Sequence, residues 1–315
     1  MQPPLPPSIT KIANSDFTKD LDITHAELVA LLDLATDVKR SPEQYRSVLS
    51  GRSTVLLFEK PSLRTRMTFE LAIQQLGGYA ILNDGPIGVR EPLKDVARNV
   101  SRWVDGIVVR TFAQKTVDDL ARWSRVPVIN ALSDMWHPCQ ILADMQTLRE
   151  RFGSLRGLKL VFVGDGNNVA HSLMLTAARL GMDFTLAYPP RYDASPAVVA
   201  EAREIAAQND SKIVLTHNPE EAVVGAHAVY TAVWASMGEE AEAAERREAF
   251  ADYQVDDDLM SRTLPEAIFM HCLPAKRGEE VTDSVVESMR SVVFDQAENR
   301  LHAQKALLMM LLGKS

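Results

Sequence analysis

The sequence is poor in cysteine, with only Cys139 and Cys272 among its 315 residues. Disulfide-stabilised scaffolds are short and dense in cysteine, so that class is excluded, and we expect two free thiols in a reducing compartment. A continuous apolar run of roughly 18 residues, the length that a membrane-spanning helix needs, is also missing. The proline-rich start MQPPLPPS lacks the apolar stretch of a secretory signal peptide, so we expect a disordered tail there and a cytoplasmic protein.

Positive charge is scarce as well. The chain has 34 Lys and Arg against 42 Asp and Glu, which gives a net charge of −8 with histidine neutral. A general nucleic-acid binder needs a basic surface, so that class is excluded for the whole chain, although local basic pockets stay open. The content of 46% apolar and 24% charged residues excludes a disordered, collagen-like or coiled-coil chain. At roughly 150 residues per domain, the length predicts two domains.

Short apolar segments alternate with helical segments along the chain. Thr24 and Glu27 form a capping box, with Ile23 and Leu28 as a hydrophobic staple, and predict a helix to about residue 39. The same patterns predict nine strands, at 54–58, 79–82, 106–110, 126–130, 158–163, 184–188, 213–216, around 229 and at 268–271. They predict further helices at 64–76, 90–103, 117–124, 138–152, 169–180, 197–208 and after Asn218. This alternation predicts an α/β fold of two doubly wound parallel-sheet domains joined by long helices.

The segment FEKPSLRTR, residues 58–66, carries hydroxyls and positive charge where a strand ends and a helix begins. The first N–H groups of a helix are unpaired and carry partial positive charge, which suits a phosphate. Ser62 and Thr65 add hydroxyl donors, and Arg64 can pair with two phosphate oxygens at once. A capped helix with solvent-facing arginines is the alternative, but the density of cations and hydroxyls favours an anion site.

Further polar motifs follow strands or open helices. Arg110 ends a predicted strand, where ligands of open α/β sheets bind, although alone it indicates only a surface residue. His137 and Gln140 open the helix at 138–152 and can bind a polar ligand. A zinc site needs about four ligands, usually in paired spacings, and the only candidate partners, His271 and Cys272, are adjacent in sequence, so a metal site is disfavoured.

Cys272 lies in the motif HCLPA at the end of the last predicted strand. It is either a buried structural thiol, which is the commoner role of a lone cysteine, or a thiolate facing a cationic pocket. The motif ENRLHAQK from Glu298 is expected to begin the last helix, and taken alone it indicates a plain surface helix.

The motif GDGNNV from Gly164 follows a strand and opens a helix, as a dinucleotide-binding fingerprint does. That fingerprint requires an acidic residue at the end of the next strand, but the strand here ends in Ala187 and Tyr188. A nicotinamide-dependent oxidoreductase is therefore disfavoured, while Asn168 can still contact a polar substrate. The segment WASMG from Trp234 follows another strand, and the acidic stretch 238–258 behind it is expected to be a solvated loop and helix rather than a lid.

Together these motifs resemble the aspartate/ornithine carbamoyltransferase family, and within it the ornithine branch. The markers occur in order over nearly the whole chain: FEKPSLRTR, GVREPLKDVAR, RTF, HPCQ, GDGNN, WASMG, HCLPA and ENRLHAQKA. HCLP with SMG separates the ornithine branch from its aspartate relatives, which have HPLP at the corresponding position. Each marker alone is modest support, and the complete ordered set is highly specific.

The resemblance implies transfer of a carbamoyl group from carbamoyl phosphate to the δ-amine of L-ornithine, giving L-citrulline for arginine biosynthesis. It implies a carbamoyl-phosphate-binding domain of residues 1–136, completed by a helix at 298–315, and an amino-acid-binding domain of residues 137–297. It further implies a homotrimer or an assembly of trimers, and no metal or organic cofactor. Nucleic acid and membrane are not expected as partners.

The resemblance also assigns site residues. Arg110, His137 and Cys272 would be catalytic. Carbamoyl phosphate would be bound by Ser62, Leu63, Arg64, Thr65, Arg110, His137, Gln140, Cys272, Leu273 and Arg300. Ornithine would be bound by Asn168, Ala232, Ser236 and Met237.

Two of these positions depart from the family pattern. Leu63 replaces the threonine of S-T-R-T, a mild change if the position contributes only its backbone N–H. Ala232 replaces the aspartate that pairs with the α-ammonium group of the substrate, and the loss of such a bond costs roughly 1.5–3 kcal/mol, or about ten- to hundredfold in affinity. The chain would then bind ornithine weakly, use a related amine or a modified ornithine, or be a catalytically weakened binder.

Overall fold

The structure, a computed structural model, describes residues 9–235 and 240–313. The proline-rich start therefore lies outside the described residues. Within this part of the chain, no helix is both long enough and apolar enough to cross a membrane. The chain divides into two compact units, Met1–Gln146 with Glu298–Ser315, and Thr147–Ala297.

The first unit is built on a four-stranded parallel sheet in the order β2-β1-β3-β4. Its strands are β1 (Ser53–Phe58), β2 (Tyr79–Asp84), β3 (Gly106–Arg110) and β4 (Val128–Leu132), and its helices are α1 (His25–Arg40), α2 (Leu63–Gln75), α3 (Leu93–Val100), α4 (Gln114–Trp123) and the first part of α5 (Pro138–Phe152). Apolar side chains of β1, β3 and α4 form a core on one face of the sheet. The predicted capping box is confirmed, since Thr24 and Glu27 each accept the other's backbone N–H.

The second unit is built on a five-stranded parallel sheet in the order β7-β6-β5-β8-β9. Its strands are β5 (Lys159–Val163), β6 (Asp183–Ala187), β7 (Ile213–Thr216), β8 (Ala228–Thr231) and β9 (Ile268–His271), and its helices are α6 (Asn168–Arg179), α7 (Pro196–Gln208), α8 (Pro219–Ala222), α9 (Ala243–Ala249), α10 (Asp257–Ser261), α11 (Asp283–Val286) and the start of α12 (Val293–Leu312). The predicted α/β fold of two doubly wound parallel sheets joined by long helices is confirmed.

The order of each sheet locates the place where a ligand can bind. In the first sheet the chain moves from β1 to one side and then to the other, so the connections diverge between β1 and β3. In the second sheet they diverge between β5 and β8. Open α/β sheets bind ligands outside the carboxyl ends of the strands at this switch point.

Among the predicted boundaries that differ from the structure, three differ for a structural reason. The predicted helix 90–103 is shorter, because Pro92 takes the N-cap position of α3 and disfavours helical backbone before it. The last helix begins at Val293 rather than Glu298, since Val293 is buried in the second unit's core. The first unit extends into α5, beyond the predicted boundary at 136/137, because Cys139 on α5 donates a hydrogen bond to the carbonyl of Asn130.

Candidate functional site

Eight of the predicted site residues belong to the first unit, and we call them the N-terminal cluster: Ser62, Leu63, Arg64, Thr65, Arg110, His137, Gln140 and Arg300. Seven of them lie at the end of β3, in the segments after β1 and β4 or on the helices α2 and α5, and Arg300 lies on α12. The switch point brings the first two segments together, because Phe58 and Arg110 are register partners at the ends of β1 and β3. The backbone N–H of Glu59 donates to the carbonyl of Arg110 at 2.9 Å and extends this pairing beyond the strands.

Ser62 is the N-cap of α2, and its hydroxyl oxygen accepts the backbone N–H of Thr65 at 3.2 Å. The other N–H groups of this first turn retain the anion-binding character of a helix start. Leu63 is the first helical residue, and its side chain is 69% exposed. An exposed leucine at this position offers a ligand only its backbone, so replacement of a threonine here removes a hydroxyl but no backbone donor.

Arg300 on α12 joins two predicted parts of the cluster. Its Nη2 donates to Thr65 Oγ1 at 2.9 Å, and its Nη1 donates to Gln140 Oε1. All three residues are at most 2% exposed, so these are buried charge-assisted hydrogen bonds. Because the Thr65 oxygen accepts from Arg300, the hydroxyl proton of Thr65 is available to an anion at the start of α2.

His137 precedes α5 and is 6% exposed. Burial, together with the positive charges of Arg300 and Arg110, lowers the pKa of His137 well below its ordinary value of 6.5. The imidazole is therefore neutral at physiological pH. A neutral ring has one N–H to donate, which suits a carbonyl oxygen in a pocket where the two guanidinium groups already supply the positive charge.

The neutral state of His137 predicts how stability depends on pH. Below about pH 6.5 the unfolded chain binds a proton on this residue and the folded chain does not, so the free energy of unfolding decreases as the pH falls. One such group contributes at most about 1.4 kcal/mol per pH unit. We expect His137→Gln to lose less stability than the wild type between pH 7.5 and 5.5, measured by urea unfolding. His302, whose pKa is also lowered by burial, is present in both proteins and cancels. Parallel pH dependences would contradict a neutral His137.

Glu59 was not predicted from the sequence as a site residue, although it lies in the motif FEKPSLRTR. Its carboxylate accepts the hydroxyl proton of Thr111 and the backbone N–H of Ile87, the latter at 2.7 Å. It thus connects the segments after β1, β2 and β3. The next residue, Lys60, is buried, with its Nζ 4.5 Å from the ring centre of Phe112. An acid inside an otherwise basic motif was the only local signal for this role.

The remaining described site residues belong to the second unit, and we call them the C-terminal cluster: Asn168, Ala232, Cys272 and Leu273. They follow β5, β8 and β9, which are neighbours in the sheet, so their carboxyl ends meet at one edge. Asn167 is the N-cap of α6 and accepts the N–H groups of Val169 and Ala170. The predicted residues Ser236 and Met237 lie outside the described residues.

Gly166 explains why the motif GDGNNV resembles a dinucleotide fingerprint. A side chain here would collide with the protein itself, since a Cβ atom would lie 2.2 Å from the backbone nitrogen of Ala194 and 2.5 Å from the carbonyl carbon of Asp193. In a dinucleotide site the corresponding glycine lets the backbone approach a pyrophosphate. Here the chain's own backbone occupies that space, which argues against the nicotinamide alternative.

Cys272 and Leu273 are held by a buried pair behind them. The N–H of Leu273 donates to His271 Nδ1 at 2.8 Å, which leaves Nε2 to carry a ring proton 3.1 Å from Glu280 Oε1. The same carboxylate oxygen accepts the N–H of Lys276 at 2.6 Å. Leu273 has a φ of 55°, a left-handed conformation that is costly for a leucine. These bonds therefore hold the turn in one conformation.

Ala232 comes directly after β8 and is 5% exposed. The segment beyond it is anchored by Arg246 on α9, which donates to the Trp234 carbonyl at 2.9 Å and pairs with Asp165 at 2.7 Å. Arg246 is 7% exposed, and its guanidinium also lies over the ring of Tyr192. This buried cation ties the turn after β5 to the turn after β8. The stretch 238–258, expected to be a solvated loop and helix rather than a lid, is described from residue 240 onwards and contains α9.

Neither cysteine forms part of a metal centre among residues 9–235 and 240–313, where no group of three or more His, Cys, Asp or Glu side chains is placed to hold a metal ion. Burial raises the pKa of Cys139 to about 12. The thiol of Cys139 donates to a backbone carbonyl, so Cys139 is a structural residue inside the motif HPCQ. Cys272 is partly exposed at the end of β9.

Comparison with known proteins is consistent across both units. Residues 15–150 match the family model of the aspartate/ornithine carbamoyltransferase carbamoyl-P binding domain, and residues 156–311 match that of the Asp/Orn binding domain. Ornithine carbamoyltransferase from Thermococcus kodakarensis is 49% identical over 311 residues, covering 97% of this chain and 98% of the relative. The solved ornithine carbamoyltransferase from Pyrococcus furiosus is 46% identical with a TM-score of 0.93, covering 96% and 99% of the two chains. A solved acetylornithine transcarbamylase is 34% identical with a TM-score of 0.86, covering 95% and 99%.

Proposed function

The chain belongs to the aspartate/ornithine carbamoyltransferase family, and we propose that it transfers the carbamoyl group of carbamoyl phosphate to the δ-amine of L-ornithine, giving L-citrulline and phosphate. The observation that carries this proposal is the buried Arg300 guanidinium bridging Thr65 and Gln140, at the start of α2 and α5. The Arg300 guanidinium thereby connects the helix start that suits a phosphate with Gln140, the side chain that suits the carbamoyl amide. Relatives that are 47–50% identical over nearly the whole chain are named ornithine carbamoyltransferase, which favours ornithine as the acceptor.

We assign the phosphate group to the start of α2 in the first unit. The first-turn N–H groups, the hydroxyls of Ser62 and Thr65 and the guanidinium of Arg64 supply donors there. Arg110 would contact both phosphate and the carbonyl oxygen. His137 would donate to the carbonyl oxygen, and Gln140 would bind the carbamoyl amide.

We assign ornithine to the second unit, with Asn168, Ser236 and Met237 holding its backbone groups and Ala232 beside its α-amine. Cys272 and Leu273 would lie at the carbamoyl nitrogen, with Cys272 also near the attacking amine. The division of substrates between the units follows the descriptions of the two matching family models.

The chemistry follows from these assignments. The neutral δ-amine attacks the carbamoyl carbon, the bond from that carbon to the phosphate oxygen breaks, and the departing phosphate takes the amine proton. Arg64, Arg110 and His137 stabilise the negative charge that develops on the carbonyl oxygen and the phosphate. Holding two reactants in line supplies much of the remaining acceleration.

We propose self-association into a trimer, or an assembly of trimers, in the cytoplasm. The outer face of α2 exposes Leu63, Met67 and Leu71 at helical spacing, and the adjacent edge strand β2 exposes Tyr79 and Ile81. A groove of about 730 Å³ beside this face is lined in part by Leu63 and Met67. An apolar patch on an edge strand and its neighbouring helix is typical of a surface that another copy covers.

The test of the proposed function is citrulline formation from carbamoyl phosphate and L-ornithine, over an ornithine range well into millimolar concentrations. We expect saturable turnover with one phosphate released per citrulline. An Arg64→Ala variant purified in parallel is the control for contaminating host enzyme and should be inactive. If carbamoyl phosphate protects the protein from thermal unfolding but no citrulline forms, either another amine is the acceptor or the site is catalytically disabled, and a screen of amines would follow.

Glu280 offers a prediction on the acceptor side. Glu280→Gln keeps the shape of the side chain but replaces a charge-assisted hydrogen bond to His271 with a neutral one, a loss of about 1 kcal/mol. Because His271 holds the turn at Cys272 and Leu273, we expect kcat to fall roughly five- to tenfold with little change in KM for carbamoyl phosphate. Glu279→Gln is the matched control, since Glu279 is partly exposed and pairs with Arg247. Equal effects of the two variants would refute the role of Glu280.

A further inference from the structure

The side chain of Gln140 lies between two groups of opposite hydrogen-bonding character. Arg300 Nη1 donates to Gln140 Oε1, and Gln140 Nε2 donates to Asp144 Oδ1 at 2.8 Å. A guanidinium only donates and a carboxylate only accepts, so the two ends of the amide are not interchangeable here. Rotating the amide by 180° would bring two donors together at Arg300 and two acceptors together at Asp144.

Asp144 is well placed to enforce this orientation. It is four residues after Gln140 on α5, so the two side chains are neighbours on one face of the helix. Asp144 is 0% exposed and Gln140 is 1% exposed, so water does not compete for the bond. Every member of the chain Thr65–Arg300–Gln140–Asp144 belongs to the first unit, and the motifs HPCQ and ENR gave no indication of the fourth member.

We propose that Asp144 is a positioning residue that makes the site specific for a carbamoyl group. The inference rests on the proposed function, in which Gln140 serves the carbamoyl amide. The NH₂ of a carbamoyl group can only donate, so it requires the Gln140 oxygen, which has a second lone pair beside the bond from Arg300. By holding Nε2, Asp144 keeps that oxygen presented as the acceptor.

Acetyl phosphate separates this role from a structural one. It has the shape of carbamoyl phosphate with a methyl group in place of the NH₂, so it cannot use the Gln140 oxygen. An asparagine at position 144 can accept from Gln140 Nε2 or donate to Gln140 Oε1, so Asp144→Asn removes the charge that favours one orientation of the amide. We therefore expect kcat/KM for carbamoyl phosphate to fall about tenfold in this variant. The inhibition constant of acetyl phosphate should stay within about twofold of the wild type, because its phosphate contacts are intact. A parallel loss for both compounds would overturn the proposal.

A double-mutant cycle between Asp144 and Gln140 is the second test of the positioning role. In a Gln140→Ala background, Asp144→Asn should change kcat/KM by less than about twofold, since the residue it orients is gone, whereas multiplicative effects would overturn the proposal. Val38→Ala, a core change on α1, is the control for lost stability and should leave the discrimination between carbamoyl and acetyl phosphate unchanged. Asp144→Ser replaces Asp144→Asn if the latter does not fold.

Failure of this inference is distinguishable from failure of the proposed function. If the wild type forms no citrulline, the proposed function fails, and Asp144 is then tested by thermal-shift titration with carbamoyl and acetyl phosphate. That measurement needs no turnover, and a selective loss of carbamoyl phosphate binding in Asp144→Asn would still support the positioning role. Loss of neither ligand, or of both, would overturn it.

Discussion

Replacing Arg300 with methionine lowers kcat/KM for carbamoyl phosphate by about 10²- to 10³-fold, the usual effect of removing a preorganised donor from a reacting group. Methionine fills much of the same volume but removes the positive charge and both donated hydrogen bonds. The hydroxyl of Thr65 then loses the donor that directs its proton outward, and Gln140 loses the donor that orients its oxygen. One substitution therefore disturbs the phosphate contact and the amide contact together.

Initial-rate kinetics with each substrate varied in turn checks this expectation. Arg300→Lys keeps the charge but loses the two-pronged geometry, so it should recover less than about tenfold of the lost activity. Arg46→Met is the control, because Arg46 is an exposed arginine of the same unit that pairs with nearby Glu43, and it should behave as the wild type. A change below about threefold in Arg300→Met would contradict a direct role in the site.

The fold was predictable because its signals are local. Alternating apolar and helical segments determine a parallel α/β sheet, and strands such as 106–110 and 268–271 were predicted with the bounds that the structure has. The capping signals at Thr24 and Asn218 were also sufficient to locate two helix starts. The predicted helix at 90–103 was too long at its start because Pro92 disfavours helical backbone in the residue before it.

The candidate site was predictable only in outline. Motifs at the ends of strands indicate where a ligand binds, since the carboxyl ends of parallel strands meet at one edge. The contacts that give the motifs their chemistry join residues far apart in sequence, such as Thr65 and Arg300. Glu59, Asp144 and Glu280 escaped notice because each acts on a neighbour's orientation, and a lone acid has no spacing pattern that indicates such a role.

The two clusters of predicted site residues differ in the groups that they would present to a substrate. The N-terminal cluster is rich in fixed cations, and burial keeps His137 neutral among them. The C-terminal cluster relies on backbone held in place, by Arg246 after β5 and β8 and by the His271–Glu280 pair after β9. Its weak point is Ala232, which presents no polar group at the position where the family pattern has a carboxylate.

Restoring the carboxylate at this position should improve ornithine binding. We expect Ala232→Asp to lower the apparent KM for ornithine by about ten- to hundredfold, the value of one charge-assisted hydrogen bond to the α-ammonium group. Because Ala232 is 5% exposed, the new carboxylate is largely buried, and the α-ammonium group of ornithine would be its counter-charge. The variant should therefore have a lower Tm than the wild type without substrate, and a larger rise in Tm on adding ornithine.

Two controls distinguish recognition of the α-amine from other causes of a lower KM for ornithine. Ala232→Asn has the same shape without the charge, so it should recover only a small part of the improvement. 5-Aminopentanoate has the reacting amine but no α-amine, so Ala232→Asp should not improve its use as an acceptor. If KM for ornithine is unchanged or rises, or if 5-aminopentanoate gains as much as ornithine, then position 232 does not face the α-amine. Improvement confined to ornithine would instead show that the active-site architecture is complete except for one carboxylate.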